Sequence, residues 1–300
     1  MYVPLHNKDK HFSEMELYTS QTINANGRLL DLSHPRIMGI LNITPDSFYA
    51  ESRTETESAM LARCRQIIEE GGDIIDVGAY SSRPHALHIS MEEEMKRLKK
   101  GLKIISREYP DAIISIDTFR AEVARMCVEE FGAAIINDIA AGSMDPGMFS
   151  TIARLGVPYI IMHMQGTPQN MQEHPHYGNV VKEVIYFFSE KVQLLRDIGV
   201  KDIIIDPGFG FGKTLADNYK LLNELDEFAI LKLPLLVGVS RKSMIYKLLD
   251  ETPQQALNGT TAIHAIALMK GANLLRVHDV RAAYETVRIF TTMSNQETQY

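Results

Sequence analysis

Three hundred residues with 45% hydrophobic and 23% charged content describe a globular chain able to bury a large core, which excludes disordered and collagen-like classes. The formal charge of −7 argues against a broad nucleic-acid footprint, because phosphate-backbone binding needs clustered Lys and Arg; an anionic ligand must be small and held by a few local cations. Apolar runs stop well short of the roughly 20 residues that cross a bilayer, and Met1 is followed by a polar stretch without the apolar core of a secretory signal, so the chain is expected in the cytoplasm, away from membranes.

Residues 15–33 alternate around Asn26-Gly27, which predicts a hairpin. From there on, short Ile/Val-rich runs alternate with longer amphipathic stretches, the pattern of parallel strands with crossover helices. Strands are expected over residues 37–41, 73–77, 113–116, 133–137, 158–162, 202–205, 234–238 and 273–276. Helices are expected over 56–70, 91–108, 121–131, 180–198 and 284–292, with room for an extra one between 252 and 269. About eight such βα pairs predict a closed (β/α)8 TIM barrel over residues 36–293. Residues 1–35 form an amino-terminal extension whose hairpin plugs the barrel's amino-terminal end, and 294–300 a carboxyl-terminal tail. Cys64 and Cys127 both fall in helical stretches and read as reduced core thiols.

Polar residues recur where strands end. Asn42 follows 37–41, Asp117 follows 113–116, Asn137-Asp138 follows 133–136, Asp206 follows 203–205, and residues 276–279 follow 273–275. In a barrel these ends face one place, where barrel enzymes keep their active sites. The richest segment is Asp206-Pro207-Gly208-Phe209-Gly210-Phe211-Gly212-Lys213-Thr214. Its glycines do not fit the Walker spacing and are expected instead to let backbone approach a flat ring.

The segments 41–48, Gly78-Ala79-Tyr80-Ser81-Ser82-Arg83-Pro84, 162–168, 206–214, Ser240-Arg241-Lys242-Ser243 and Arg276-Val277-His278-Asp279 together resemble the dihydropteroate synthase family, in that family's order, from about residue 36 to 280. The resemblance implies a transferase that joins 6-hydroxymethyl-7,8-dihydropterin pyrophosphate to para-aminobenzoate, giving 7,8-dihydropteroate and pyrophosphate, with Mg2+ and commonly as a homodimer formed by helices late in the chain. It places the pterin on Asp117, Asn137, Met162, Asp206, Phe211, Gly238 and Lys242, with Asp117, Asp206 and Lys242 catalytic. It places the pyrophosphate on Asn42, Arg276 and His278, the metal on Asn42, and the aminobenzoate on Ser82, Arg83, Pro84 and Ser243.

The residue chemistry agrees, with alternatives open. A pterin offers two parallel donors that a carboxylate such as Asp206 accepts in a fork, although Asp206 before Pro207 also reads as a turn organiser. Asp117-Thr118 could cap the next helix, Asn137 could serve a turn, and Met162 and Phe211 could be plain core. His163 reads as a satisfied polar group, and His174 and His176 as members of a solvated loop. Arg276 and His278, two apart, can grip one phosphate if the strand persists; the alternative is a surface salt bridge with Asp279.

The second loop departs from the family's Gly-Gly-Glu-Ser-Thr-Arg-Pro-Gly: Tyr80 stands for the carboxylate, Ser82 for the threonine and His85 for the last glycine. Two other readings stay open: a methyltetrahydrofolate-binding methyltransferase, which would not need both anion sites, and a non-catalytic pterin-binding paralogue.

Overall fold

Alternation around Asn26-Gly27 folds as an antiparallel hairpin, β1 (Thr22–Ala25) against β2 (Arg28–Asp31), in which Asn26 and Gly27 both take positive φ, 53° and 80°. Two left-handed residues give the tight turn whose twist matches that of paired strands. The computed structural model describes residues 22–43, 53–81, 88–173 and 175–297, and the side chains of these except 53–56 and 295–297.

Eight strands follow: β3 (Arg36–Asn42), β4 (Ile74–Gly78), β5 (Ile113–Asp117), β6 (Ile135–Asp138), β7 (Tyr159–Met162), β8 (Ile203–Asp206), β9 (Leu236–Val237) and β10 (Leu274–Val277). All pair in parallel, in the order β8-β7-β6-β5-β4-β3-β10-β9. A parallel bridge between Ile205 and Leu235, with the Ile205 N–H donating to the Pro234 carbonyl at 3.0 Å, brings the two ends of the sheet together. The architecture is the (β/α)8 barrel expected from the alternation.

The helices are α1 (Arg53–Glu69), α2 (Met91–Glu108), α3 (Ala121–Phe131), α4 (Met148–Leu155), α5 (Val180–Asp197), α6 (Leu215–Asn223), α7 (Ser243–Tyr246), α8 (Leu257–Met269) and α9 (Val280–Glu297), with a 3-10 helix at Leu225–Leu231. Two boundaries differ from expectation for visible reasons. The strand expected from 133 begins at Ile135, because the Ala133 N–H is spent on the Cys127 carbonyl, closing α3 over the left-handed Gly132. The strand expected over 234–238 shrinks to Leu236–Val237, because Leu235 gives its N–H to Oδ1 of Asn273.

Strand side chains divide by direction. Ile37, Leu41, Ile75, Val77, Ile136, Ile161, Ile205 and Leu275 point outward to a core shared with the helices, including the buried free thiols Cys64 and Cys127. Met38, Ile74, Ile135, Ile160, Ile204, Leu236 and Leu274 point inward and meet Ile23, Ala25, Leu30 and Leu32 of the hairpin segment. Each such burial contributes about 1.5–3 kcal/mol, so the hairpin is a stopper for the amino-terminal end of the barrel. Asn24 N–H to Asp202 Oδ2 (3.0 Å) and Arg28 Nη1 to the Asp111 carbonyl (2.6 Å) pin it there. No helix of the described residues is long and apolar enough to cross a membrane.

Candidate active site

With the lower end filled by hydrocarbon, polar side chains collect at the carboxyl ends of the strands. Asp76 of β4 lies beneath them with no exposure; it accepts from Ser115 Oγ (2.6 Å), Asn137 Nδ2 (3.2 Å) and Arg276 Nε (2.6 Å). Three donors meet the oxygens of this buried carboxylate, which would otherwise be costly to bury. Arg276 donates again through Nη2 to Asp117 Oδ2 at 2.7 Å. Burial opposes the guanidinium's charge, but Asp76 and Asp117 outweigh it and hold its pKa above the usual value. Burial pushes the Asp117 carboxyl up to about 7, against the pull of Arg276.

Asp117 is therefore tied to the site rather than to helix capping. The first N–H of α3, on Ala121, is taken by Asp145 Oδ2 at 2.7 Å, and the Thr118 hydroxyl donates to Glu94 at 2.8 Å. Asn137 likewise serves the network instead of a turn. Asn42 ends β3 beside it: a Cβ on Gly78 would sit 3.5 Å from Asn42 Oδ1 and 3.6 Å from Asp117 Oδ2.

Across the barrel, Asp206 ends β8. Its Oδ1 accepts the Gly208 N–H at 2.8 Å, so it organises the turn, while Oδ2 lies 3.8 Å from where a Cβ on Gly238 would stand, toward the barrel axis. Burial raises its pKa, opposed by Lys242, Arg276 and Lys213. Lys242 Nζ donates to the Phe209 carbonyl at 2.6 Å and sits 4.5 Å from the centre of the Phe211 ring; burial lowers its pKa to about 8, against Asp206. The glycines of this loop serve a different contact from the one expected. Gly208 and Gly212 take φ of 72° and 59°, and added Cβ atoms would meet the His163 and Gln165 carbonyls at 1.9 and 2.5 Å, so it is the end of β7, not a ligand ring, that their missing side chains accommodate.

Met162 and Phe211 do stand together, in an apolar cluster with Tyr80, Phe119, Ile139 and Ala140. Tyr80 is buried there, edge-on to Phe119 with ring centres 5.0 Å apart, and its hydroxyl meets His88 Nδ1 (3.2 Å) and Gln169 Nε2 (3.0 Å). Ser82, Arg83, Pro84 and His85 lie outside the described residues, as does His174; His176 is exposed.

At β10, the Asp279 salt bridge is made by Arg241, whose Nε and Nη2 reach both carboxylate oxygens at 2.7 and 2.8 Å; Arg276 turns inward instead. His278 receives Ser240: its N–H donates to Ser240 Oγ at 3.1 Å, and Nδ1 lies 3.1 Å from the same oxygen. Ser243 opens α7 directly after Lys242. Two partners of the site were not singled out from the sequence. Asp76 sits inside an apolar run, and a carboxylate in a buried strand was the available signal. Arg63 of α1 donates to the His278 carbonyl at 2.6 Å and carries no local signal at all.

The arrangement offers a carboxylate with one oxygen turned to the axis, a flat apolar wall, a lysine and an arginine within one mouth. It suits a planar, donor-rich ring carrying an anion.

Comparison with known proteins fits this geometry. The pterin binding enzyme family matches residues 38–278. The dihydropteroate synthase of Escherichia coli K12 is 44% identical over 276 residues, 91% of this chain and 97% of that protein. Among solved structures, the Yersinia pestis dihydropteroate synthase in complex with a sulfonamide drug superposes with a TM-score of 0.85 at 39% identity, covering 92% of this chain and all of that one (100%). The Xanthomonas albilineans dihydropteroate synthase with 4-aminobenzoic acid gives 0.84 at 39% identity, covering 92% and 99%.

Proposed function

Because the chain belongs to the family of pterin binding enzymes, we infer that it catalyses the dihydropteroate synthase reaction, joining 6-hydroxymethyl-7,8-dihydropterin pyrophosphate to para-aminobenzoate and releasing pyrophosphate. The observation that carries this is similarity to named synthases over 91% of the chain. The meeting of Asp206, Lys242, Asp117 and Arg276 at one barrel mouth supports it.

In this reading Asp206 accepts the paired N–H donors of the pterin, and Asn137, Met162, Phe211, Gly238 and Lys242 line the ring. Arg276 and His278 take the pyrophosphate. As the C–O bond to pyrophosphate lengthens, positive charge grows on the pterin methylene, and Asp117, ionised, stabilises it electrostatically. The arylamine lone pair forms the C–N bond while pyrophosphate departs with the electron pair of the C–O bond, and the proton left on the nitrogen is lost to solvent after attack, so no residue need remove it beforehand. Ser243, with Ser82, Arg83 and Pro84, is assigned to the aminobenzoate.

Mg2+ belongs to this proposal, and when bound it would neutralise charge on the leaving pyrophosphate. The donor set fits that ion. Among the described residues no group of three or more His, Cys, Asp or Glu could cage a metal, whereas Mg2+ keeps its water and accepts a single protein oxygen beside substrate phosphates. Asn42 would supply that oxygen.

A homodimer is also proposed, through α8 and α9, which expose Ile266 (43%), Met269 (62%), Ile289 (72%) and Met293 (48%). A cytoplasmic location is part of the same reading. Release of pyrophosphate on mixing the protein with both substrates and Mg2+ tests the reaction. A pterin-binding paralogue without activity would bind the pterin and release none.

A further inference from the structure

Lys213 closes the loop that begins at Asp206, and none of the chemistry above uses it. Its side chain is 4% exposed. Nζ lies 2.9 Å from Nδ1 of His163, 3.0 Å from the Gly208 carbonyl, 3.1 Å from the Phe211 carbonyl and 3.3 Å from the His163 carbonyl. A buried ammonium is costly unless each N–H is met, and here every N–H is met by a neutral acceptor. Burial lowers the Lys213 pKa to about 7; in its charged form Nζ has only donors, so Nδ1 of His163 then accepts and the ring proton sits on Nε2. Burial and the neighbouring Lys213 keep that ring neutral, its pKa lowered to about 2. The ring is held from the other side by Phe187, edge-on with centres 4.9 Å apart.

We propose that Lys213, seated on His163, is a positioning residue for the reaction: it pegs the loop after β8 to the end of β7 and thereby fixes the groups that receive the pterin ring. The contacts lead directly to those groups. The residue whose carbonyl Lys213 holds, Gly208, donates its N–H to Asp206 Oδ1 at 2.8 Å. Phe211, whose carbonyl it also holds, carries the ring under Lys242. Between them, Phe209 offers its carbonyl to Lys242 at 2.6 Å. Removing the peg frees all three at once. Arg276 is anchored by hydrogen bonds to Asp76 and Asp117, neither of which Lys213 touches, so the anion grip should survive.

The proposal rests on the reading of Asp206 as the pterin-binding carboxylate, and the experiment separates the two. Lys213→Met keeps the side chain's length and removes its donors. Calorimetry with 6-hydroxymethyl-7,8-dihydropterin should show affinity reduced tenfold or more, while inorganic pyrophosphate with Mg2+ binds within twofold of the unaltered protein. Equal loss of both ligands would mark a general folding role, and undiminished pterin affinity would mark none; either overturns the proposal. Asp206→Asn, measured alongside, tests the underlying reading, which fails if that variant binds the pterin normally. Should Lys213→Met not fold, 15N NMR of the unaltered protein decides. An unprotonated Nδ1 on His163 that shifts when the pterin binds supports the peg; a protonated Nδ1, or one indifferent to the pterin, refutes it.

Discussion

Arg276 spans two carboxylates at different depths: Nε lies 2.6 Å from Oδ2 of Asp76, which has no exposure, and Nη2 lies 2.7 Å from Oδ2 of Asp117, which keeps 15%. The deep contact anchors the side chain and the shallow one is open to exchange. In the proposed reaction a phosphate oxygen arriving at the mouth would take the place of Asp117 at Nη2, leaving Asp117 to face the pterin.

Arg276→Ala should accordingly weaken the pterin pyrophosphate by about 2–5 kcal/mol, the usual result of truncating one partner of a buried charge pair. The same pterin bearing only a hydroxymethyl group should lose far less. Calorimetry with the two ligands checks this, and equal losses would indicate a disturbed fold instead.

The pH profile follows from two opposed shifts. Burial raises Asp117 to about 7, and burial lowers Lys242 to about 8. The reaction needs the first ionised and the second charged, so kcat/KM should rise as pH passes about 7 and fall above about 8. Asp117→Asn should abolish the acid limb and spare the alkaline one. Stability runs the other way. A carboxyl raised in the fold binds its proton more tightly there than in the unfolded chain, so this contribution is full below pH 3.8 and lost as pH rises through about 7. Chemical denaturation of the Asp117→Asn variant should lack that decline.

Asp206→Asn should weaken pterin binding by at least ~2 kcal/mol, because an amide nitrogen would then face a ring donor or the Gly208 N–H. Calorimetry with a pterin lacking pyrophosphate isolates the effect. Unchanged affinity would leave Asp206 as a turn residue only.

Asp76→Ala strands the Arg276 guanidinium, the Asn137 amide and the Ser115 hydroxyl together, and should cost about 3–5 kcal/mol in urea denaturation. Asp76→Asn should cost less. It keeps an oxygen for Arg276 and Asn137, and the Ser115 hydroxyl can turn to accept.

The exposed apolar side chains of α8 and α9 predict a sedimentation mass near twice 33.8 kDa. Met269→Glu with Ile289→Glu should halve it while pterin affinity, set at the barrel mouth, stays within twofold. A monomer before substitution would exclude this face as a dimer contact.

Much of this was legible because parallel strands advertise themselves. Runs such as Ile203 to Ile205 are apolar on both faces, and the residue that ends such a run, Asp206 here or Asp117 after β5's isoleucines, marks the end where polar groups gather. What stayed hidden were pairings across long sequence distances. Asp76 and Arg276 lie 200 residues apart, and nothing near either indicates the other. Lys213 and His163 are 50 apart, and each alone resembles an ordinary polar residue in a loop. Loop glycines also misled, since their spacing reveals a close approach but not which backbone makes it.

Residues 22–31 precede every barrel strand in the sequence, yet the seat of their hairpin is assembled from all eight of those strands, the last of which reaches residue 277. That seat is complete only when β10 is in place. The first element in sequence therefore finds its full seat only where β3 to β10 have come together, and there it covers Ile135, Ile160 and Ile204. Its docking converts a ring of strands into a closed vessel, so a barrel that has mispaired anywhere along its circumference offers that segment no place to go.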